Sequence, residues 1–218
     1  MSKKIIFAEK PDVMKQLVEA LEPDAKHIKG DGKTKAPYYV GNKYVFFCAA
    51  GHLFNFKKPS DINKDFNIFN EKSLPYDFPD PLPLELDQQK KSYFNTFKKI
   101  IIEEDYDELV VSTDGDREGQ GIYERIKEMS PKYKSGIYES RMWISEQTVE
   151  GIRKAFNERT PNADKENLKN AAYLRAMEDY YIGMNGTGIC TYKFGGPGNI
   201  VNIGRVQTAV AKIIEQRE

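Results

Sequence analysis

The first part of the chain alternates short apolar runs with amphipathic segments. KKIIFA, residues 3–8, has the length of a buried strand. In the segment PDVMKQLVEAL that follows, Val13, Leu17 and Leu21 recur at helical spacing, and Pro11 suits the first turn of a helix. We therefore predict a strand that leads directly into a helix.

Residues 38–84 contain two segments of different character. YYVGNKYVFFCAAG predicts two strands joined as a hairpin at Gly41 and Asn42. Residues 55–84 are mostly polar and aromatic, and LPYDFPDPLP holds four prolines, which neither a helix nor a central strand tolerates. We expect an irregular surface loop there.

Alternation then resumes. The pattern predicts a helix within residues 86–104, a buried strand at DELVVST, a helix carrying Ile122 and Ile126, and a strand at SGIYESRMW. Ser145 is predicted to cap the following helix, ISEQTVEGIRKAFNE. Strands and helices in this order indicate an α/β fold, a mostly parallel sheet with helices on its faces.

The alternation stops after RTPNADKEN. A long helix is predicted from about Lys165 to Met184, and its apolar stripe consists of Ala171, Leu174, Met177, Tyr181 and Met184. A glycine-rich loop follows, and helical spacing returns near the end of the chain. Because the sequence stops on this pattern without a cap signal, we expect a partial all-α domain that has been cut.

Composition and charge narrow the function only slightly. The 218 residues include 33 basic and 33 acidic side chains, so any anion-binding site must be local. Cys48 and Cys190 match no metal or redox spacing, which favours reduced thiols. The sequence has neither an apolar run of membrane-spanning length nor a signal peptide, and we expect a soluble protein of the cytoplasm, of the bacterial cytosol or nucleoid type.

The segment VVSTDGDREGQG is the strongest chemical signal. It is a strand-to-helix turn, and in open α/β sheets ligands bind beyond the carboxyl ends of strands. If the segment stays extended, Asp114 and Asp116 point to the same side, about 6–7 Å apart at Cα, and Glu118 reaches the same space. Oxygen ligands without His or Cys suit Mg²⁺. Ordinary turn and N-cap chemistry explains these residues equally well.

A second signal favours the metal-site interpretation. Glu9 ends the first strand and would project at the same sheet edge, with Lys10 and a helix start beside it. Carboxylates, a lysine and a helix start on one edge are typical of a phosphodiester site. Without the acidic turn, Glu9 and Lys10 would be interpreted as a solvated pair at a helix entry.

Six motifs in order carry a family resemblance: FAEKP, AAGHL, STDGDREGQ, RMWISEQT, RAMEDYYIGMN and IGRVQTAVAKIIEQRE. With them, nearly the whole chain resembles the amino-terminal part of type IA DNA topoisomerases, and among them topoisomerase III most. The resemblance implies a Rossmann-like Toprim domain over residues 1–156 and a partial helical, DNA-binding domain over residues 157–218.

The resemblance also implies residue roles. The metal-binding acids fall on Asp114, Asp116 and Glu118. Glu9 matches an acid–base residue at the scissile phosphate, Lys10 a phosphate contact, and Arg117 the arginine between the acids. The positions that contact single-stranded DNA fall on Arg175, Asp179, Arg205 and Gln207.

The family cuts one DNA strand by tyrosine attack, passes another strand and religates with Mg²⁺. None of the 13 tyrosines matches the motif of that nucleophile, which lies in a later domain of the family. We therefore expect this chain to be an amino-terminal fragment, a monomer that is inactive in strand passage and whose partners are single-stranded DNA and the remaining topoisomerase domains.

Several other residues are interpreted as structural, and a few depart from the family pattern. By spacing alone Arg175 and Asp179 form a surface ion pair, and His52 is packed or hydrogen-bonded near a strand end. Trp143 and the pair Tyr180–Tyr181 are expected in the core. Gln120 stands where the family commonly has a glutamate, which removes one negative charge and weakens metal binding. Gly188 and Ala209 also depart from family patterns.

Two rival functions stay open. A Toprim nuclease or primase-type enzyme would use the same carboxylates without a tyrosine. The motifs SEQT and GRVQT argue against this alternative, because neither motif is expected in such an enzyme. A non-catalytic module that binds single-stranded DNA or a protein partner is the other rival.

Overall fold

A computed structural model describes residues 2–130, 137–196 and 198–217. The strands are β1 (Lys3–Ala8), β2 (Lys26–Ile28), β3 (Tyr38–Val40), β4 (Tyr44–Cys48), β5 (Phe54–Phe56), β6 (Leu84–Leu86), β7 (Tyr106–Ser112), β8 (Tyr138–Arg141) and β9 (Thr160–Pro161). The helices are α1 (Pro11–Leu21), α2 (Pro59–Ile62), α3 (Lys91–Glu103), α4 (Arg117–Glu128), α5 (Val149–Asn157), α6 (Glu166–Cys190) and α7 (Arg205–Glu215).

Seven strands form one sheet in the order β2-β3-β4-β1-β7-β8-β9. The four central strands, β4, β1, β7 and β8, run parallel, and the outer strands pair antiparallel. This confirms the predicted, mostly parallel sheet and the hairpin of β3 and β4. The predicted strand SGIYESRMW corresponds to β8, except that its first two residues, Ser135 and Gly136, lie outside the described residues.

The sheet is buried on both faces. On one face α1 and α5 cover Ile6, Phe46 and Val110. On the other face the ring of Phe7 contacts the rings of Phe97 in α3 and Tyr123 in α4. Buried parallel strands need such double cover, which explains why their apolar runs are nearly continuous.

The described residues divide into two compact units. The first comprises the residues up to Asn55 together with Leu86–Ala172, and the second comprises Phe56–Glu85 with the residues from Tyr173 onward. This division by contacts differs from the predicted boundary between residues 156 and 157, which stays a prediction about domains.

The second unit corrects the expected surface loop. Tyr76, Phe78 and Leu82, from the proline-rich segment, are only 4–6% exposed and form a cluster with Tyr180 of α6. The Tyr180 hydroxyl donates to the carbonyl of Lys57 at 2.6 Å. The prolines do exclude regular structure, but the aromatic side chains between them build a small core.

Two predictions about helices were wrong in detail. Thr148, not Ser145, caps α5, because its Oγ1 accepts from the N–H of Gly151 at 3.0 Å. In α6, which continues to Cys190, Leu174 is 63% exposed and Met184 is 38% exposed, so the predicted stripe is only partly covered.

A buried carboxylate fixes the turn between β3 and β4. Glu22, at the end of α1, accepts hydrogen bonds from the backbone N–H groups of Asn42, Lys43 and Tyr44 at 2.7–3.1 Å. The turn thereby gains a side-chain acceptor from a segment twenty residues away.

A second buried carboxylate, Glu108, joins the central strands. It accepts from Arg159 at 2.6 and 3.0 Å and from the Ser140 hydroxyl at 2.6 Å, and the Lys4 ammonium lies 2.7 Å away. Burial alone would raise the pKa of Glu108, but the hydrogen bonds from Arg159, Lys4 and Ser140 lower it to about 2.

Glu108→Gln is expected to destabilise the protein by about 3 kcal/mol at pH 7, since it leaves two partly buried cations, Lys4 and Arg159, without their counter-charge. Because the folded pKa lies below the ordinary value of 4.5, the stabilisation is present above pH 4.5 and is lost as the pH falls towards 2. Urea unfolding at pH 7 and pH 3 measures both effects.

Glu103→Gln, which removes an exposed carboxylate of α3, is the matched control and should change little. Equal acid sensitivity in wild type and Glu108→Gln would contradict the role of Glu108.

Candidate functional site

Three parallel strands end level at one edge of the sheet. Ala8, the last residue of β1, pairs with Cys48 at the end of β4 and with Ser112 at the end of β7. The residues that follow these strands, Glu9, the AAGH segment and the acidic turn, therefore emerge side by side. The edge predicted from the sequence exists in the structure.

Glu9, Lys10 and Asp114 form the tightest group at this edge. The Lys10 ammonium lies 3.0 Å from Glu9 Oε1 and 3.1 Å from Asp114 Oδ2, and the Asp114 N–H donates to Glu9 Oε2 at 3.3 Å. The Glu9 side chain is 8% exposed, whereas that of Lys10 is 55% exposed. Hydrogen bonds with Glu9 and then Asp114 raise the pKa of Lys10.

Contrary to the expectation from the sequence, Asp116 does not lie in an extended segment beside Asp114. Its N–H donates to the carbonyl of Asp114 at 2.8 Å, so the segment is a tight turn and not extended. Its carboxylate caps α4 by accepting from the Gly119 N–H at 2.7 Å. Gly119 allows the start of α4 to pack against the backbone of Asp114, since a Cβ there would lie 2.9 Å from the Asp114 nitrogen and closer still to its carbonyl oxygen.

Glu118 and His52 meet at the same edge. His52 Nε2 lies 3.1 Å from Glu118 Oε1, and the carbonyl of His52 accepts from the Lys90 ammonium at 2.9 Å. The hydrogen-bonded interpretation of His52 is confirmed. Arg117 is exposed at the first residue of α4.

Arg141 is the residue that sequence reasoning missed. It is 1% exposed and donates hydrogen bonds of 2.6–3.0 Å to the turn and its surroundings. The acceptors are the carbonyls of Val111, Thr113, Asp114 and Met142 and the Gln120 side-chain oxygen. The only signal in the sequence is one arginine in an otherwise strand-like segment beside the acidic turn.

The charge of Arg141 has no carboxylate among these acceptors. Burial lowers the pKa of its guanidinium to about 10, although the charges of Asp116, Asp114 and Glu9 oppose that shift. The guanidinium therefore supports the acidic turn both through hydrogen bonds to its backbone and through the field it exerts on the carboxylates.

Gln120 extends this support away from the edge. It is fully buried, accepts from Arg141 Nε at 3.0 Å, and donates to Glu124 at 2.9 Å and to Asn162 at 3.0 Å. An amide serves both as acceptor and donor here. Gln120, which stands where the family commonly has a glutamate, therefore links Arg141 to Glu124 and Asn162 in this chain.

The oxygen-only donor set at this edge suits a hard cation such as Mg²⁺. The ammonium between Glu9 and Asp114 shows that a positive group is stabilised there. Within the described parts of the chain, however, no three His, Cys, Asp or Glu side chains lie together as a ready metal site. Asp116 and Glu118 are engaged elsewhere, and the predicted metal role stays a prediction.

In the second unit, the predicted DNA-contacting residues come together in part. Arg175 donates to Asp179 Oδ2 at 2.8 Å, as the spacing predicts, and Arg205 Nε lies 2.9 Å from Asp179 Oδ1. Asp179 thus bridges two arginines on different helices. Gln207 is exposed in the first turn of α7.

Of the three aromatic residues expected in the core, two lie in it or against it and one does not. Tyr180 is 8% exposed and belongs to the core of the second unit, and Tyr181 packs against that core. Trp143 is 42% exposed, so its expected place in the core was wrong. Across the described ranges, no helix has both the length and the apolar character to span a membrane.

Comparison with known proteins supports the resemblance. A family model described as Toprim domain matches residues 4–147. The DNA topoisomerase 3 proteins of Bacillus cereus and Bacillus subtilis are each 33% identical over 218 residues, which is all of this chain and 28% of the relative. The chain thus spans less than a third of the length of these curated relatives.

A solved structure confirms the fold. The full-length topoisomerase I from Thermotoga maritima superposes on 96% of this chain with a TM-score of 0.61 at 20% identity, over 29% of its own length. At that identity the likeness concerns the fold. Together with the relatives, it confirms both the α/β Toprim fold class and the resemblance to type IA topoisomerases of the topoisomerase III kind.

Arg141→Met is expected to destabilise the first unit by about 3–5 kcal/mol, because buried carbonyls lose their donors. Circular dichroism in a urea titration measures the loss. Arg141→Lys, which keeps the charge but not the planar fork, should be intermediate. An unchanged unfolding midpoint in Arg141→Met would contradict the clamping role.

Lys10→Met is expected to tighten Mg²⁺ binding about two- to fivefold, because its exposed ammonium no longer competes for Glu9 and Asp114. Calorimetric titration of the chain with Mg²⁺ measures the change. Lys15→Met, the same substitution on α1, is the control. Equal affinities in wild type and Lys10→Met would show that the ammonium does not compete.

Proposed function

Because the chain belongs to the Toprim family, we propose that it is the part of a type IA topoisomerase that binds Mg²⁺ and the phosphate of a single DNA strand. The observation that carries this proposal is the group of Glu9, Lys10 and Asp114 at the carboxyl edge of the parallel sheet. Relatives named DNA topoisomerase 3 match the whole chain, which supports the same assignment.

We assign Asp114, Asp116 and Glu118 to the metal. When bound, Mg²⁺ would neutralise charge on the phosphate and fix its position. The side chains already present supply the rest of the chemistry. Lys10, held between two carboxylates, is close enough to the edge to donate to a phosphate oxygen, and exposed Arg117 adds a second donor.

Glu9 suits a proton-transfer role. Its carboxylate is buried, and its two oxygens are held by the Lys10 ammonium and the Asp114 N–H, so its position at the edge is fixed. A buried, oriented carboxylate next to a phosphate is suited to take a proton from an attacking hydroxyl and to return it to the leaving oxygen.

Arg175, Asp179, Arg205 and Gln207 are proposed to hold the single strand. Asp179 keeps the two arginines close together, and their guanidinium groups bind phosphate oxygens well. Because this group lies in the second unit, its affinity for DNA is measurable separately from metal binding at the acidic turn.

The whole enzyme would cut one strand by attack of a tyrosine hydroxyl on phosphorus, with the 3′ oxygen leaving and a 5′-phosphotyrosine link formed. Religation reverses the step after strand passage. We propose that another part of the enzyme supplies the tyrosine and that this chain is a monomeric, cytoplasmic component inactive in strand passage. Single-stranded DNA and the tyrosine-bearing domains are its proposed partners.

Asp114→Asn/Asp116→Asn is expected to weaken Mg²⁺ binding at least about tenfold, or about 1.4 kcal/mol, because two of the three proposed ligands lose their charge. Calorimetric titration of the full chain provides the affinities. Asp24→Asn/Asp105→Asn removes the same charge from exposed positions away from the edge and is the matched control.

Equal weakening in both double variants would assign the effect to net charge and would contradict a site at the turn. Metal-dependent nicking of DNA by the chain alone would favour a Toprim nuclease instead. Relaxation of supercoiled DNA by the chain alone would contradict the assignment of the tyrosine to another part of the enzyme.

A further inference from the structure

Trp143, the only tryptophan of the chain, lies two residues beyond the end of β8. Its side chain is 42% exposed, although neighbouring Met142 is fully buried. A single exposed apolar residue is common and needs no special function. What distinguishes Trp143 is where its ring lies.

The indole lies against the acidic turn. A Cβ at Gly115 would be 2.8 Å from Trp143 Cε2 and 2.9 Å from its Nε1. Gly115 separates Asp114 from Asp116, so the ring packs against the backbone between two of the proposed metal-binding residues. Only glycine leaves room for this contact.

Two cations flank the ring. The guanidinium of Arg141 lies 5.4 Å and the Lys165 ammonium 5.6 Å from its centroid. Cations at these distances are attracted to an aromatic ring, and Lys165 is also available to a DNA phosphate beside the ring.

A cavity of about 150 Å³ opens beside the indole, with room for a small planar group. It is lined by Trp143, Ser145, Glu146, Gly151, Lys154, Ala155 and Glu158. The lining holds two carboxylates, Glu146 and Glu158, and one ammonium, Lys154, so its net charge is negative and disfavours a phosphate, whereas the carboxylates accept hydrogen bonds from the amino groups of a base. The chemistry of this cavity therefore favours a nucleobase over the sugar-phosphate backbone.

We propose that Trp143 is a stacking platform for one unpaired base of the DNA strand whose phosphate lies at the acidic turn. The inference rests on the proposed function and adds a base-binding site to it. Stacking on an aromatic ring is tolerant of sequence, because every base has a π-face. The platform would hold the strand in register with the acidic turn, without cleaving anything itself.

The single tryptophan makes the proposal directly measurable. Binding of a short single-stranded oligonucleotide to the full chain is followed by anisotropy of a label on the DNA and, in parallel, by Trp143 fluorescence. Stacking is expected to quench the fluorescence with the same midpoint as the anisotropy change. An oligonucleotide of abasic sites, which has phosphates but no bases, is expected not to quench it.

Substitution separates stacking from charge. Trp143→Leu is expected to weaken binding about 5- to 150-fold, the range for loss of one stacked base, whereas Trp143→Phe keeps a ring and should lose less. Tyr138→Leu is the matched control, because Tyr138 is 51% exposed but lies at the opposite end of β8. Circular dichroism verifies that each variant is folded.

The outcomes distinguish the two proposals. DNA binding without quenching, and with equal affinity in Trp143→Leu, overturns the platform and leaves the proposed function in place. Equal losses in Trp143→Leu and Tyr138→Leu also overturn the platform. Absence of DNA binding by the wild type, while Mg²⁺ still binds, overturns the DNA-binding part of the proposed function and the platform with it.

Discussion

The structure of the acidic edge depends on one buried positive charge, the guanidinium of Arg141. Removal of this group from water is unfavourable, and hydrogen bonds to the backbone carbonyls around the turn offset that cost. Those carbonyls belong to the peptide groups that present Asp114. Because these acceptors are neutral, they do not cancel the positive charge of Arg141, which attracts the nearby carboxylates of Asp114 and Asp116. A single buried group therefore shapes the turn and also places a positive charge beside its carboxylates.

The parallel sheet provides the second half of the arrangement. Three strands end at the same level, so side chains far apart in sequence meet without long loops. Glu9 and Asp114 approach closely enough to repel each other, and Lys10 relieves that repulsion from an exposed position. An exposed cation combined with a buried one suits a site that must exchange ligands, because only the exposed ammonium has to move.

Local patterns predicted the elements well, and distant partners decided the rest. Strand β1 and helix α1 follow from periodicity and Pro11, which are properties of a few consecutive residues. The burial of Tyr76 depends on Tyr180, about a hundred residues later, so a proline-rich segment gave no sign of it. Arg141 and Glu22 are single charged residues whose burial only the tertiary structure reveals. The meeting of Glu9 with Asp114 was predictable because strand ends in a parallel sheet share an edge.

The adjacency of Glu9 and Lys10 at the end of β1 has a consequence for folding. Side chains alternate between the two faces of a sheet, so a slip of β1 by one residue against β7 would turn Glu9 away from Asp114 and present a different neighbour. The contacts that Asp114 makes with Glu9 and Lys10 then form only in one alignment of the strands. The contacts at the site therefore also stabilise the native strand register, because a sheet in another register lacks them.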